Sequence, residues 1–334
     1  MFNIFQKKYD IVTIGDTVTD AFIRLKEAHI TCKLDNSACE ISMKYGDKIP
    51  YDFVEICKAV GNSANAAVST ARLDLNTAII TDVGDDKDGK EAIQEFAKNN
   101  VSTDLIQTHK NKKTNYHYVL WYDVDRTILI KHETYERKIA LTNPPRWIYL
   151  SSLGEDSLSF HKQIADYLTL HPEIKLAFQP GTFQMKFGVD ALKKIYERTE
   201  IFFCNVEEAQ RILKVETKDI HTLLDGIKKL GPKIAVITDG PKGAYVSYES
   251  KNIFMPPYPD PKPPYERTGA GDAFASTFVG ALALGKSVEE AITWAPINSM
   301  SVVQEIGAQK GLLSQAQIKE WLSKAPDTYK PNNI

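Results

Sequence analysis

The run Arg267-Thr268-Gly269-Ala270-Gly271-Asp272-Ala273-Phe274 joins a glycine-rich turn to a carboxylate and then to an apolar segment. Phe274, Phe278, Ala281 and Leu282 recur at three- and four-residue spacing, which predicts a helix over 273–284. Gly269, Ala270 and Gly271 then sit at a helix N-terminus, where unpaired N–H groups and the positive end of the dipole favour a phosphate. Asp272 would repel that phosphate unless it has a task of its own. The task that fits is to take a proton from a hydroxyl while the amides hold a transferring phosphoryl group. The competing reading is a plain helix start, with Thr268 and Asp272 as caps and the glycines as the turn.

Other segments carry candidate chemistry, each with a structural rival. In Asn205-Val206-Glu207-Glu208, Asn205 and Glu208 share a helix face and offer oxygens that suit Mg²⁺ through water. The same spacing is a capping box. Thr238-Asp239-Gly240-Pro241-Lys242-Gly243 is either a tight turn between strands or a glycine-lined ledge for a nucleotide. Asp16, with Asp20 nearby, can accept hydrogen bonds from polyol hydroxyls or serve as a turn aspartate. Gly61-Asn62-Ser63-Ala64-Asn65 is a small-residue helix start that lets a ligand approach, with Asn65 as donor and acceptor, or a tightly packed helix end. Gly84 to Lys90 has P-loop spacing, but Glu91 stands where Ser or Thr must meet Mg²⁺, and Asp85, Asp86 and Asp88 repel phosphates. A turn that starts a helix explains that stretch better. No GxGxxG follows the first strand, which argues against a dinucleotide dehydrogenase.

The elements that must position these residues form an alternation. Strands are predicted at 11–14, 78–80, 147–150, 176–178, 201–203 and 234–238, with helices at 64–73 and 90–98. This implies an α/β fold, a mostly parallel sheet with helices on both faces, whose ligands sit beyond the carboxyl ends of the strands. Asp16, Asn205 and Asp239 follow strands immediately. Two stretches break the pattern. Residues 22–53 predict a hairpin from 30–34 and 40–44 around Asp35-Asn36-Ser37. Residues 116–132 predict another from 116–121 and 127–130 around Asp123-Val124-Asp125. Together they make a small sheet, a lid over the strand ends. The proline-rich stretch 256–264 reads as a rigid connector.

The 334 residues suffice for one large α/β domain, and 43% apolar with 25% charged residues is usual for a globular chain. A net charge of −2 argues against nucleic-acid or anionic-membrane partners. No apolar run of about 18 residues predicts a membrane span. Residues 1–10 are too short and too charged for a signal peptide. Cys32, Cys39, Cys57 and Cys204 form no CxxC pair and are expected to be reduced thiols of a cytoplasmic protein.

In their order and spacing, Gly15-Asp16, GNSAN at 61–65, Gly84-Asp85 to Gly89, NVEE at 205–208, TDGPKG at 238–243, TGAGDAF at 268–274 and Gly307-Ala308 resemble the ribokinase-like (PfkB) carbohydrate kinases. The likeness runs from about residue 10 to 323. It implies one three-layer, Rossmann-like domain over 1–334, with the lid of 22–53 and 116–132 inserted and available as a homodimer interface. It implies transfer of the γ-phosphate of ATP, with Mg²⁺, to a hydroxyl of a small sugar or sugar acid. A nucleoside is the alternative acceptor, on which the lid aromatics Tyr116, Tyr118, Trp121 and Tyr122 could stack. A non-catalytic sugar- or nucleotide-binding regulator is the rival from another class. Asp272 matches the catalytic base, and Gly269, Ala270 and Gly271 match the anion hole. Asn205 and Glu208 match the motif that organises Mg²⁺ and the ATP phosphates. Thr238, Gly240 and Gly243 match the nucleotide ledge, and Asp16, Gly61 and Asn65 match positions that hold sugar hydroxyls. Val60 stands where the family usually has a glycine before Gly61. Glu266-Arg267-Thr268 replaces an Asp-Thr-Thr whose Asp helps bind a monovalent cation, so K⁺ activation does not carry over. Arg267 offers positive charge to a phosphate, or is a solvated side chain. Pro296 and Asn298 fall near the adenine pocket.

Overall fold

The computed structural model describes residues 8–32, 39–123 and 125–334. The turn expected at Asp35-Asn36-Ser37, Lys33 and Leu34 before it, Val124 and residues 1–7 lie outside the described residues. Strand β1 (Ile11–Ile14) opens the main sheet. The chain then leaves it through β2 (Val18–Leu25), β3 (His29–Cys32), β4 (Cys39–Ser42) and β5 (Tyr51–Val60). It returns by α1 (Asn62–Arg72), β6 (Thr77–Gly84), α2 (Lys87–Lys98) and β7 (Ile106–His109). A second excursion is made of β8 (Asn115–Tyr122) and β9 (Asp125–Leu129). Regular alternation follows with β10 (Trp147–Leu150), α3 (Leu158–Leu170), β11 (Lys175–Phe178), α4 (Thr182–Ala191), α5 (Lys193–Arg198) and β12 (Thr199–Asn205). Then come α6 (Val206–Leu213), α7 (Ile220–Lys229), β13 (Ile234–Thr238), β14 (Ala244–Tyr248) and β15 (Lys251–Met255). Helices α8 (Ala270–Ala283), α9 (Val288–Val302) and α10 (Gln315–Ser323) precede the short β16 (Asn332–Asn333).

The main sheet runs β16-β15-β14-β13-β12-β11-β10-β1-β6-β7. From β13 to β7 all neighbours are parallel, and β14 to β16 form an antiparallel edge. Alternate strand residues feed two cores. Ile11, Trp147, Tyr149, Ile201, Phe203 and Val236 pack with Phe278 and Ile292, from α8 and α9, on one face. Val12, Ile14, Ile148, Leu150, Phe178 and Phe202 pack with Ile164, Ile212 and Leu223, from α3, α6 and α7, on the other. That is the predicted three-layer arrangement. Strands buried on both faces must be apolar throughout, as Ile-Val-Thr-Ile and Trp-Ile-Tyr-Leu nearly are. After β1 the chain adds β6 and β7 on one side, then β10 onward on the other, so the order reverses between β1 and β10. A crevice opens at such a point beyond the strand ends.

The lid is a four-stranded sheet, β5-β2-β8-β9, with β2 parallel to β8. This corrects the expected pairing. The hairpin read from 30–44 forms as β3 and β4, but as a separate two-stranded ribbon; the lid strands from that stretch are β2 and β5. The cause is burial. β2 places Val18, Ala21, Phe22 and Leu25 in the interior, whereas every residue of β3 is exposed and has no core to join. The antiparallel register of the ribbon sets Cys32 opposite Cys39, and the two are joined in a disulfide. Only Cys57 and Cys204 remain free thiols, which corrects the expectation of four. Among the described residues no helix is long and apolar enough to cross a membrane.

Candidate active site

Five parallel strands end at one cavity of about 450 Å³. Asp16 follows β1, Ser152 follows β10, Gln179 follows β11, and Asn205 and Thr238 close β12 and β13. The lid adds Asp20, His117, Arg126 and Ile128, and the start of α1 adds Gly61, Asn62 and Asn65. A second cavity of about 420 Å³ shares Thr238, Arg267, Gly271 and Phe274 with the first. Gly240, Gly243, Ala270, Tyr258 and Pro296 line it, with Pro257, Pro259 and Pro264 of the connector as a wall. Asp272, Gly269, Ala270, Gly271, Asn205, Glu208, Thr238, Gly240, Gly243, Asp16, Gly61 and Asn65 each border one of these two spaces. The stretch 84–91 borders neither. There Asp86 caps α2 by accepting from Gly89 N at 3.0 Å, as the turn reading requires.

Asp272 lies in the first turn of α8, beside the shared residue Gly271. Its carboxylate accepts from Asn62 Nδ2 at 2.7 Å, Asn65 Nδ2 at 2.8 Å and Gln179 Nε2 at 3.2 Å. Two of these amides are oriented from behind. Gln309 Nε2 donates to Asn65 Oδ1 at 3.0 Å, and the buried Tyr149 hydroxyl donates to Gln179 Oε1. Burial raises the Asp272 carboxyl above its ordinary pKa, with the three amides offsetting part of the shift. A carboxylate placed so is a stronger base than one in water, and its direction is fixed. Asn65, expected to face sugar hydroxyls, thus also orients Asp272. Asn62 and Gln179 are functional residues that sequence reasoning missed; Gln179 directly follows a strand, which was the available signal.

Gly269 is the N-cap of α8, with φ 81° and ψ −2°, and a Cβ there would fall 2.2 Å from Ala308 Cβ. Only glycine permits both the left-handed backbone and that approach. Ala270 N–H donates to the Arg267 carbonyl at 3.4 Å, so it is partly engaged; those of Gly269 and Gly271 have no partner among the described residues. Asn205 and Glu208 make the full capping box, with Glu208 N to Asn205 Oδ1 at 2.8 Å and Asn205 N to Glu208 Oε2 at 2.9 Å. Among the described residues Glu208 Oε1 accepts no hydrogen bond, and Glu208 borders the first cavity, so the cap does not occupy the whole carboxylate. Burial raises the Glu208 carboxyl, and the Asp272 charge adds to it.

Asp16 is buried and fully engaged: Oδ1 accepts from Arg137 Nη2 at 2.9 Å, while Oδ2 accepts from Gly154 N at 2.8 Å and lies 3.3 Å from His132 Nδ1. Arg137 continues to Asp156 at 2.7 Å and Asp82 at 3.9 Å. Two expectations are corrected here. None of Tyr116, Tyr118, Trp121 and Tyr122 borders the first cavity. Tyr118 is exposed, and Trp121 packs on Phe53, Tyr265 and Arg24. Asn298 is buried as scaffold, donating to Thr277 Oγ1 and accepting from Leu313 N, because its position in α9 faces α8 rather than the second cavity.

The pfkB family carbohydrate kinase model matches residues 56–315. The chain belongs to this family. The pfkB relatives include the ribokinase of Bacillus subtilis, 26% identical over 79% of this chain and 87% of that protein. Among solved structures, Arabidopsis thaliana ribokinase complexed with ribose and ATP has a TM-score of 0.74 at 20% identity, covering 95% of this chain and 99% of that one. The nucleoside kinase of Methanocaldococcus jannaschii has a TM-score of 0.74 at 18% identity, over 95% and 99%. The pfkB homologues are phosphotransferases, and the fold described above is theirs.

Proposed function

We propose that this pfkB chain phosphorylates a hydroxyl of a small sugar or sugar acid at the expense of ATP. The observation that carries the reading is the Asp272 carboxylate, held by three amides in the first cavity, next to Gly271, which both cavities share. ATP, when bound, supplies the phosphoryl group, and Mg²⁺ supplies counter-charge. Asp272 takes the proton of the acceptor hydroxyl. The free amides of Gly269 and Gly271 hold charge on the transferring group. The lid covers the acceptor and excludes water.

The nucleotide fits the second cavity, with Gly240 and Gly243 as its ledge. Gly243 has φ 113°, and a Cβ there would meet Met255 O at 2.4 Å. Among the described residues no three His, Cys, Asp or Glu side chains gather as a metal site, so Mg²⁺ would lean on phosphate oxygens and water, with Asn205 and Glu208 behind them. Glu208→Gln is expected to raise the Mg²⁺ needed for half-maximal rate severalfold. An unchanged metal titration would reduce Glu208 to its cap.

K⁺ independence is expected as well. Arg126 Nε lies 3.6 Å from Glu266 Oε1, which also accepts from Thr268 N at 2.6 Å, so the lid brings a fixed cation to this carboxylate. Turnover should be equal in K⁺ and in tetramethylammonium. A rise with K⁺ would assign a cation to Glu266 Oε2, which is buried with no hydrogen-bond partner among the described residues.

The lid sets His117 and Arg126 beside Ile128 and Ile130 over the acceptor, with none of its tyrosines or Trp121, and the two polar groups support a sugar. Phe183, against His132 at a ring distance of 6.0 Å, is the feature that favours a nucleoside as second reading. ADP release with ribose, fructose, ketodeoxygluconate and adenosine tests both. Tight binding of an acceptor with no ADP release from any would leave only the non-catalytic regulator.

A further inference from the structure

The two cavities meet along Thr238, Arg267, Gly271 and Phe274, and Arg267 is the one charged residue of that boundary. Its guanidinium makes no hydrogen bond or ion pair with any described residue. The charge it is felt by is Asp260, on the rim of the second cavity, whose carboxyl burial raises and Arg267 draws back down. No lysine borders either cavity, and the other arginine there, Arg126, is drawn toward Glu266. The carboxylates Asp272 and Glu208 border the same space. A triphosphate brought to this boundary therefore meets carboxylates on both sides, Asp272 and Glu208 in the first cavity and Asp260 in the second, with Arg267 as the one cation of the boundary.

The root of Arg267 is held although its side chain is exposed. The buried Glu266 before it donates its N–H to Val303 O at 3.2 Å, and Thr268 after it is tied to the Glu266 carboxylate. The Arg267 carbonyl accepts from Ala270 N–H of the anion-hole turn. The side chain thus springs from the same rigid turn as Gly271 and Asp272. A guanidinium is always charged and presents a planar fork that matches phosphate oxygens.

We propose that Arg267 is a catalytic residue that binds the γ-phosphate of the nucleotide and stabilises charge on it during transfer. This rests on the nucleotide-dependent reading above. Asp272 receives the acceptor proton as the bond from the acceptor oxygen to the γ-phosphorus forms. The bond from that phosphorus to the β,γ-bridging oxygen breaks, and its electron pair leaves with ADP. Arg267 neither gains nor loses a proton.

Calorimetric Kd values for the β,γ-imido analogue of ATP and for ADP, both with Mg²⁺, test this without knowledge of the acceptor. Arg267→Ala should weaken the analogue about tenfold, the worth of a charge-assisted hydrogen bond, and leave ADP within about twofold. Arg267→Lys should recover part of the loss, and both variants should melt at the wild-type temperature. In turnover, kcat of Arg267→Ala should fall about 10²-fold with the acceptor KM unchanged. Equal affinity of wild type and Arg267→Ala for the analogue would overturn the proposal, as would equal weakening of analogue and ADP. Wild type that binds neither nucleotide would overturn the ATP-dependent reading along with it, whereas an analogue-selective loss in Arg267→Ala sustains Arg267 even if every acceptor tried is inert.

Discussion

Replacing Asp272 with Asn is expected to lower kcat by about 10²–10⁴, the usual worth of a positioned general base. The substitution is nearly isosteric. The Oδ1 position that accepts from Asn62 and Gln179 can be kept by the new amide oxygen, and only the bond from Asn65 Nδ2 is lost, so the fold and the second cavity should survive. What is lost is the capacity to take a proton at the place where the two cavities meet. Nucleotide Kd should stay within about twofold and the melting temperature within a few degrees. The wild-type pH profile carries a second signature. Burial holds the Asp272 carboxyl above its ordinary range, so the acid limb of kcat/KM should lie above the usual carboxylate pKa of about 4. That limb should vanish in Asp272→Asn, because the amide that replaces the base does not titrate. Turnover near the wild-type rate, or an acid limb that persists in the variant, would remove Asp272 from this role.

Much of this site was legible because its parts obey local rules. A run such as Ile201-Phe202-Phe203 reads as a buried strand, and what closely follows it must lie at the strand's carboxyl end, which located Asn205 and likewise Asp16. Gly269 could be read because a turn ahead of an apolar helix calls for φ above zero. The missed residues depend on contacts distant in sequence. Gln179 meets Asp272 across 93 positions, and Asn62 across 210. Arg137 belongs to a stretch without regular secondary structure, so no periodicity marks it, yet it reaches Asp16 across 121 positions. The lid was misread for a related reason. Alternation shows that a strand exists, whereas its partner is chosen by what it can bury. The 30–44 stretch had the clearer turn signal, but β2 had the apolar residues that could be buried, and β5 pairs with it. The register that joins Cys32 to Cys39 is set by that same pairing.

Arg137→Met is expected to cost about 3–5 kcal/mol at pH 7, the loss typical when one partner of a buried ion pair is removed. The Arg137 side chain is only 2% exposed, and it serves Asp16 at 2.9 Å, Asp156 at 2.7 Å and Asp82 at 3.9 Å. Methionine fills much of the volume but leaves Asp16 and Asp82 charged and buried. The pH dependence separates this from a packing defect. Burial alone would raise the Asp16 carboxyl, but the His132 hydrogen bond and the Arg137 charge outweigh it and hold the pKa below its ordinary value. A depressed native pKa contributes stability that is present above the unfolded value, about 4, and is lost as pH falls through the native one. Asp82 has the opposite sign. Burial raises it, with His109 and Arg137 offsetting part, so its contribution is present below about 4 and lost as pH rises through the raised value. Without Arg137 both carboxyls move upward and take protons in the folded state. The stability gap between wild type and variant, measured by urea denaturation, should therefore be widest at neutral pH and narrow as pH is lowered toward 4. A gap that is constant with pH, or below about 1 kcal/mol at pH 7, would show that the arginine acts only as filler. Because Asp16 borders the acceptor cavity, the same variant should raise the acceptor KM more than it lowers kcat. Asp272 and its three amides lie outside the Arg137 ion pairs, so the chemical step should be spared while the acceptor's anchor is loosened.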